Sequence, residues 1–289
     1  MDDWSLLQAY VTERSEEAFT ELVRRHADLV YSTCLRRLGD ASQAEDAAQV
    51  VFIVLAMKAR SIRRGTVLSG WLHNAACFTS CDMRKLKARR RKYEEQAGRI
   101  RHVQTDGLSE LECAEIKQHL DDALAALPEA DRDAVLLRFF ENKSLRDVGA
   151  ALGISEAAAE KRVSRAAARL QSALGSRGVI ASVSGIAGVL PACGISAPAS
   201  LLQSATEVPL AVTKASASVT PGQAAAEHVI RMMHWAQMKA AALLLIATGT
   251  LVTTLLLASR TTAEPLAAAR VLRLCTARVI LVWRSARFA

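Results

Sequence analysis

The stretch that most constrains this chain is Ser144–Leu170, SLRDVGAALGISEAAAEKRVSRAAARL. It predicts two helices joined by a tight turn. Ser144 and Ser155 each stand where a side-chain hydroxyl can cap a helix start. Leu145, Val148 and Leu152 recur at helical spacing and face inward. Gly153 follows, the residue best suited to a sharp, left-handed helix end, and Ile154 packs back against the pair. Gly149, Ala150 and Ala159 are small enough for the two helices to cross closely. The second helix carries Glu156, Lys161, Arg162, Ser164, Arg165 and Arg169 around an alanine-rich barrel. This is the helix-turn-helix pattern, whose second helix enters a DNA major groove. An ordinary αα-hairpin with a solvated charged face is the plainer alternative. The caps, the apolar spacing and the basic second helix together favour the DNA reader.

The rest of the composition agrees. A chain of 289 residues has room for two small domains and appendages. Aromatic residues make up only 4% and alanine dominates, which favours helices over sheets. A net charge of +8 and an isoelectric point near 9.4 suit a polyanionic partner. Six cysteines are scattered without a disulfide-like framework, as expected in a reducing cytosol. The start, MDDWSLLQAY, is acidic and polar, unlike a secretory signal.

Towards the N-terminus, Ser15 followed by Glu16 and Glu17 predicts a helix start. Phe19, Leu22, Val23, His26, Leu29, Val30, Thr33, Cys34 and Leu38 line one face of that helix. His26, on or beside that face, reads as a structural histidine rather than a ligand. The next helix begins near Ser42 and buries Ala44, Ala48, Val51, Phe52, Leu55 and Ala56. Its polar first half carries Gln43, Glu45, Asp46 and Gln49. Adjacent Glu45 and Asp46 diverge by about 100° on a helix, so they do not converge on one atom. An exposed protein-docking edge suits them better than acid–base chemistry.

The loop RSIRRGTVLS (Arg60–Ser69) is basic, holds Arg63 and Arg64, and pivots at Gly65. A helix from Trp71 follows, with Trp71, Leu72, Ala75, Ala76, Phe78, Thr79 and Met83 as its core stripe. It turns strongly cationic at Arg84, Lys85, Lys87, Arg89, Arg90, Arg91 and Lys92: seven cations in nine positions. Such a run repels itself unless solvated or neutralised, and beside a basic loop and an aromatic helix it predicts phosphate contact. His73, Cys77 and Cys81, four apart, line one face and can offer metal ligands. The usual Cys-x₂-Cys zinc turn is absent, and buried cysteine is an ordinary small hydrophobe. No metal, cofactor or catalytic constellation is expected.

Arg101–Ser109 has no periodicity and reads as a linker. A helix resumes over Glu110–Leu127, and Pro128 opens the next at its first turn. Val135, Leu136, Phe139 and Phe140 point inward before the helix-turn-helix. After Gly175 the chain becomes rich in Ala, Ser, Gly, Val and Pro, and reads as a linker with short helical pieces. Ala240–Ser259, AAALLLIATGTLVTTLLLAS, is long and apolar enough to span a bilayer. The remaining tail is basic, with Arg270, Arg273, Arg278, Arg284 and Arg287, against the positive-inside preference if it lies outside.

Three blocks in order resemble the sigma-70 family, specifically its two-domain extracytoplasmic-function (ECF) sigma factors. They are AFTELVRRHADLVYSTCLRRLGDASQAEDAAQVVFIVL (Ala18–Leu55), GWLHNAACFTSCDMRKLKARRR (Gly70–Arg91) and ALPEADRDAVLLRFFENKSLRDVGAALGISEAAAEKRVSRAAARL (Ala126–Leu170). The resemblance covers about the first 175 residues. It implies an all-α protein with a region two-like domain (1–100), a linker (101–109) and a region four-like helix-turn-helix domain (110–175). A linker (176–238), a transmembrane helix (239–260) and a basic tail (261–289) follow. Glu45, Asp46, Gln49 and Phe52 would dock on RNA polymerase core, at the β′ clamp helices, with the β subunit a further contact. Arg63, Arg64, Arg84, Lys85, Lys87, Arg89, Arg90 and Arg91 would grip and melt the −10 element. Ser155, Glu156, Ala158, Lys161, Arg162, Arg165 and Arg169 would read the −35 element. Many members carry Arg-Asn where this chain has Cys77-Phe78. An anti-sigma factor is a further expected partner, and the extension would tether cytoplasmic DNA-binding domains to the inner membrane. The competing expectation is a membrane-linked helix-turn-helix regulator that is not a polymerase subunit.

Overall fold

The computed structural model describes residues 2–95, 110–179, 182–214, 226–227 and 229–230. All of these but Ile230 fall in the first of two compact units, Met1–Val229. The described residues are all-helical, as the sequence predicts. Helix α1 (Asp3–Gln8) starts where the Asp2 carboxylate accepts the Ser5 N–H, and it runs into a wider π turn at Ala9–Glu13. Helix α2 (Glu16–Leu38) is capped by Ser15, whose hydroxyl accepts the Ala18 N–H at 3.1 Å. Helix α3 (Ala41–Lys58) is capped by Asp40. Helix α4 covers Leu68–Glu95. These helices bury Phe19, Leu22, Val30, Cys34, Val51, Phe52, Leu55, Leu72 and Ala75.

The rear module follows as α5 (Glu110–Ala126), α6 (Glu129–Val135) with a π turn over Leu136–Phe140, α7 (Leu145–Leu152) and α8 (Glu156–Gly175). Leu120, Leu124, Leu136, Leu170 and Leu174 form its core, and Leu29 of α2 joins the same cluster. A second cluster under the helix-turn-helix gathers Ala134, Leu137, Val148, Ala159 and Val163, with Val67 from the front module packed against it. The two modules therefore share apolar contacts instead of hanging apart.

Within 176–238, two helices pack on this body: α9 (Val183–Ala192) and α10 (Ala199–Lys214). Pro191 is accommodated in the last turn of α9. Ile186 and Leu190 of α9 enter the rear core. Helix α10 lies against α3 and α2. The expected linker 101–109, the expected span 239–260 and the tail 261–289 lie outside the described residues. Among the described residues, no helix is long and apolar enough to cross a membrane.

Candidate nucleic-acid interface and docking helix

The turn between α7 and α8 is built from backbone and two capping serines. The Asp147 N–H donates to the Ser144 hydroxyl at 3.2 Å, and the Ala158 N–H to the Ser155 hydroxyl at 3.3 Å. Gly153 ends α7 at φ 66°. The Ile154 N–H reaches back to the Gly149 carbonyl at 2.9 Å. A Cβ on Gly149 would lie 2.8 Å from the Ile154 carbonyl oxygen, so the turn has no space for a side chain there. Ala159, Val163, Ala166, Ala167 and Leu170 turn inward. Glu156, Lys161 and Arg165 are exposed, and Ala158 is half-buried. A helix held by its apolar face, with cations on the free one, can approach a polyanion without rearranging.

Two expected DNA contacts are already engaged within the chain. Arg169 pairs with Asp131 of α6, and Arg162 Nη1 lies 3.8 Å from the same carboxylate. Asp131 carried no sequence signal, because it stands in α6, two helices ahead of its partners in α8.

In the front module, Arg63 and Arg64 are exposed at a turn where Gly65 takes φ 88°. Arg84 and Lys85 are exposed on α4, while Trp71 and Phe78 are half-buried. Lys87, Arg89, Arg90 and Arg91 lie on the helical backbone of α4, and their side chains are outside the described residues. The docking set behaves unevenly. Asp46 is exposed, Glu45 and Gln49 are half-buried, and Phe52 is fully buried. The Ser200 hydroxyl of α10 donates to Glu45 at 3.2 Å.

Charged knots fasten the modules to each other. Arg36 of α2 donates two hydrogen bonds to Asp121 of α5, at 2.8 and 3.1 Å. His73 Nε2 sits 3.1 Å from the same carboxylate, and the Cys77 sulfur lies 3.8 Å from that nitrogen. Burial works against the charge of Asp121, but Arg36 and His73 outweigh it and hold its pKa at about 2. Burial likewise opposes a charged His73. The neighbouring Cys77 and Asp121 reverse this and raise it to about 9. His26 is buried between Asp3 at 3.0 Å and Glu141 of the rear module at 3.4 Å. Burial again disfavours its charge, and the two carboxylates lift its pKa to about 9. Arg37 pairs with Asp122 at 2.7 Å. Sequence reading found His26 beside the apolar face but not its partners. Among the described residues, no cluster of three or more metal-type ligands forms, and His73 is engaged by Asp121.

The family models for sigma-70 region 2 and sigma-70 region 4 match residues 22–90 and 117–170. The chain is 30% identical over 156 residues to the ECF RNA polymerase sigma factor SigE of Mycolicibacterium smegmatis, covering 53% of this chain and 60% of that protein. It is 26% identical over 164 residues to the ECF RNA polymerase sigma factor SigW of Bacillus subtilis, covering 54% and 88%. A solved structure of the sigma factor RpoE with the anti-sigma factor NepR from Bartonella quintana aligns at 24% identity over 52% of this chain and 92% of that one, with a TM-score of 0.24.

Proposed function

We propose that this chain, in which the sigma-70 region 2 and region 4 models match in order, directs bacterial RNA polymerase to specific promoters, as a sigma factor of the ECF type. The observation that carries this is the pairing of two family regions in order, with region 4 ending in the helix-turn-helix whose free face shows Lys161 and Arg165. In this reading the chain recognises and opens DNA, and polymerase supplies the chemistry. Glu45, Asp46, Gln49 and Phe52 of α3 form the docking edge for core polymerase. The basic loop at Arg63 and Arg64 and the α4 cations from Arg84 onward hold the −10 strand, where unstacking a base costs a few kcal/mol. Helix α8 reads the −35 element in the major groove. Neither module need bind tightly alone, because polymerase presents both to one promoter.

An anti-sigma partner and a membrane tether through 239–260 belong to the same proposal. The tether rests on the apolar sequence of that segment alone. Washing membranes without detergent tests it: full-length protein should stay with the membrane fraction, and complete release would remove the tether. The central test mixes the full chain with core polymerase and measures promoter-directed run-off transcription. Promoter-specific transcripts above those from core alone are expected. DNA binding with no polymerase association would instead leave a helix-turn-helix regulator.

A further inference from the structure

We propose that α9 and α10 form a built-in clasp, with α10 lying over the docking face of α3, so that core polymerase must displace α10 to engage this protein. The inference rests on the docking role given to α3 above. Glu45, Gln49 and Phe52 are spaced four and three apart and so share one face of α3. Ser200, in the first turn of α10, hydrogen-bonds Glu45 on that face. Helix α3 is buried without a break from Val51 to Ala56. Helices α2 and α4 cover part of it, and α10 covers more.

The clasp is fastened at the α9–α10 connection and through α9. Asp28 of α2 accepts the Ala197 N–H at 2.8 Å and the Ser196 hydroxyl at 3.4 Å, fixing the chain just ahead of α10. Helix α9 is rooted in the rear core, and the Cys193 carbonyl accepts Arg36 Nη1 at 2.7 Å. Among the described side chains of α10, Leu201 and Ala205 are buried, one turn apart. Its polar ties to Glu45 and Asp28 are exposed. Exposed polar ties characterise the parts of a protein that open first. The rear anchor, by contrast, is deep. A competitor can therefore lift α10 while α9 stays seated.

The test uses the full chain, unaltered and as the double variant L201D/A205R. Both substitutions lie in α10 and outside every surface assigned to polymerase or DNA. Apparent affinity scales with the fraction of molecules whose binding face is free, so a variant opened from about one tenth to nearly all should bind core polymerase about tenfold more tightly. Promoter-directed run-off should rise in step. A variant that keeps its helical circular dichroism and binds no better than the unaltered chain overturns the clasp. Hydrogen exchange on the unaltered chain needs no variant: amides of 199–214 should lose protection when core polymerase is added, and retained protection overturns the clasp as well. If neither protein binds polymerase, the docking role of α3 fails too. Equal binding by both removes the clasp alone.

Discussion

Helices α3 and α8 make an instructive pair. Both begin at a polar capping side chain, Asp40 and Ser155, and both are rich in alanine. Yet α8 keeps Glu156, Lys161 and Arg165 in solvent, whereas α3 is buried without interruption from Val51 to Ala56. The sequence of each explains the difference. In α8, charges are interleaved with alanines, so one face is apolar and the other solvated. In α3, VVFIVLA (Val50–Ala56) leaves no polar face in its second half, and a helix apolar all round needs neighbours on every side. On the proposed reading, the DNA-facing side of α8 keeps Lys161 and Arg165 in solvent, while the docking face of α3 lies against α10.

The largest expected effect breaks the covered half of that contrast. Asp121→Ala leaves Arg36 buried without its carboxylate, and loss of one partner of a buried pair costs about 3–5 kcal/mol. Chemical denaturation of the full chain measures it, and a loss under about 1 kcal/mol would show the pair to be an exposed-type bridge. Arg36 also holds the Cys193 carbonyl, so α9 should loosen with it. The same knots respond to pH. His26 and His73, raised from 6.5 to about 9, stabilise the fold fully below pH 6.5, and this is lost as pH climbs through 9. Asp3 and Asp121, lowered from 3.8 to about 2, stabilise above 3.8 and lose that as pH falls towards 2. The melting temperature should thus be highest between these limits and decline from pH 6.5 to 9. A flat profile over that range would mean that the histidines are uncharged in the folded chain.

A smaller effect sharpens the exposed half. Arg165→Ala should weaken −35 DNA binding by about 1–3 kcal/mol, the value of a good base contact, and leave polymerase affinity as it was. Arg162→Ala should cost less, because its guanidinium already faces Asp131. Equal losses in a titration of promoter DNA would return Arg162 to the reading surface. The smallest effect is local: Ser155→Ala removes the α8 cap and should cost about 1 kcal/mol of stability, read as a shift in the denaturation midpoint.

The helix-turn-helix was legible because its determinants are close in sequence: two capping serines, an inward stripe and Gly153. The stripe of α2, with His26 on it, was legible for the same reason. The knots were not. Arg36 and Asp121 are 85 residues apart, and His73 and Asp121 are 48 apart. Pairs brought together only by packing leave no periodic trace. The cover on α3 had a trace that was available: Ala47, Ile53 and Val54 add apolar residues outside the stripe of Ala44, Ala48, Val51, Phe52, Leu55 and Ala56, and all are buried. They announced a further packing partner without saying which segment it would be. Proline-punctuated sequence beyond Gly175 reads as a connector, and only packing shows that α9 reaches into the rear core.

One guanidinium belongs to three parts of the molecule at once. Arg36 rises from α2, bonds Asp121 in α5, holds the Cys193 carbonyl after α9, and rests 5.5 Å from the centre of the Phe140 ring. A cation shared this way acts as a keystone, since none of the three parts can let go without exposing a buried charge. Front module, rear module and α9 should therefore melt in a single cooperative transition, and not as beads released one after another along a string.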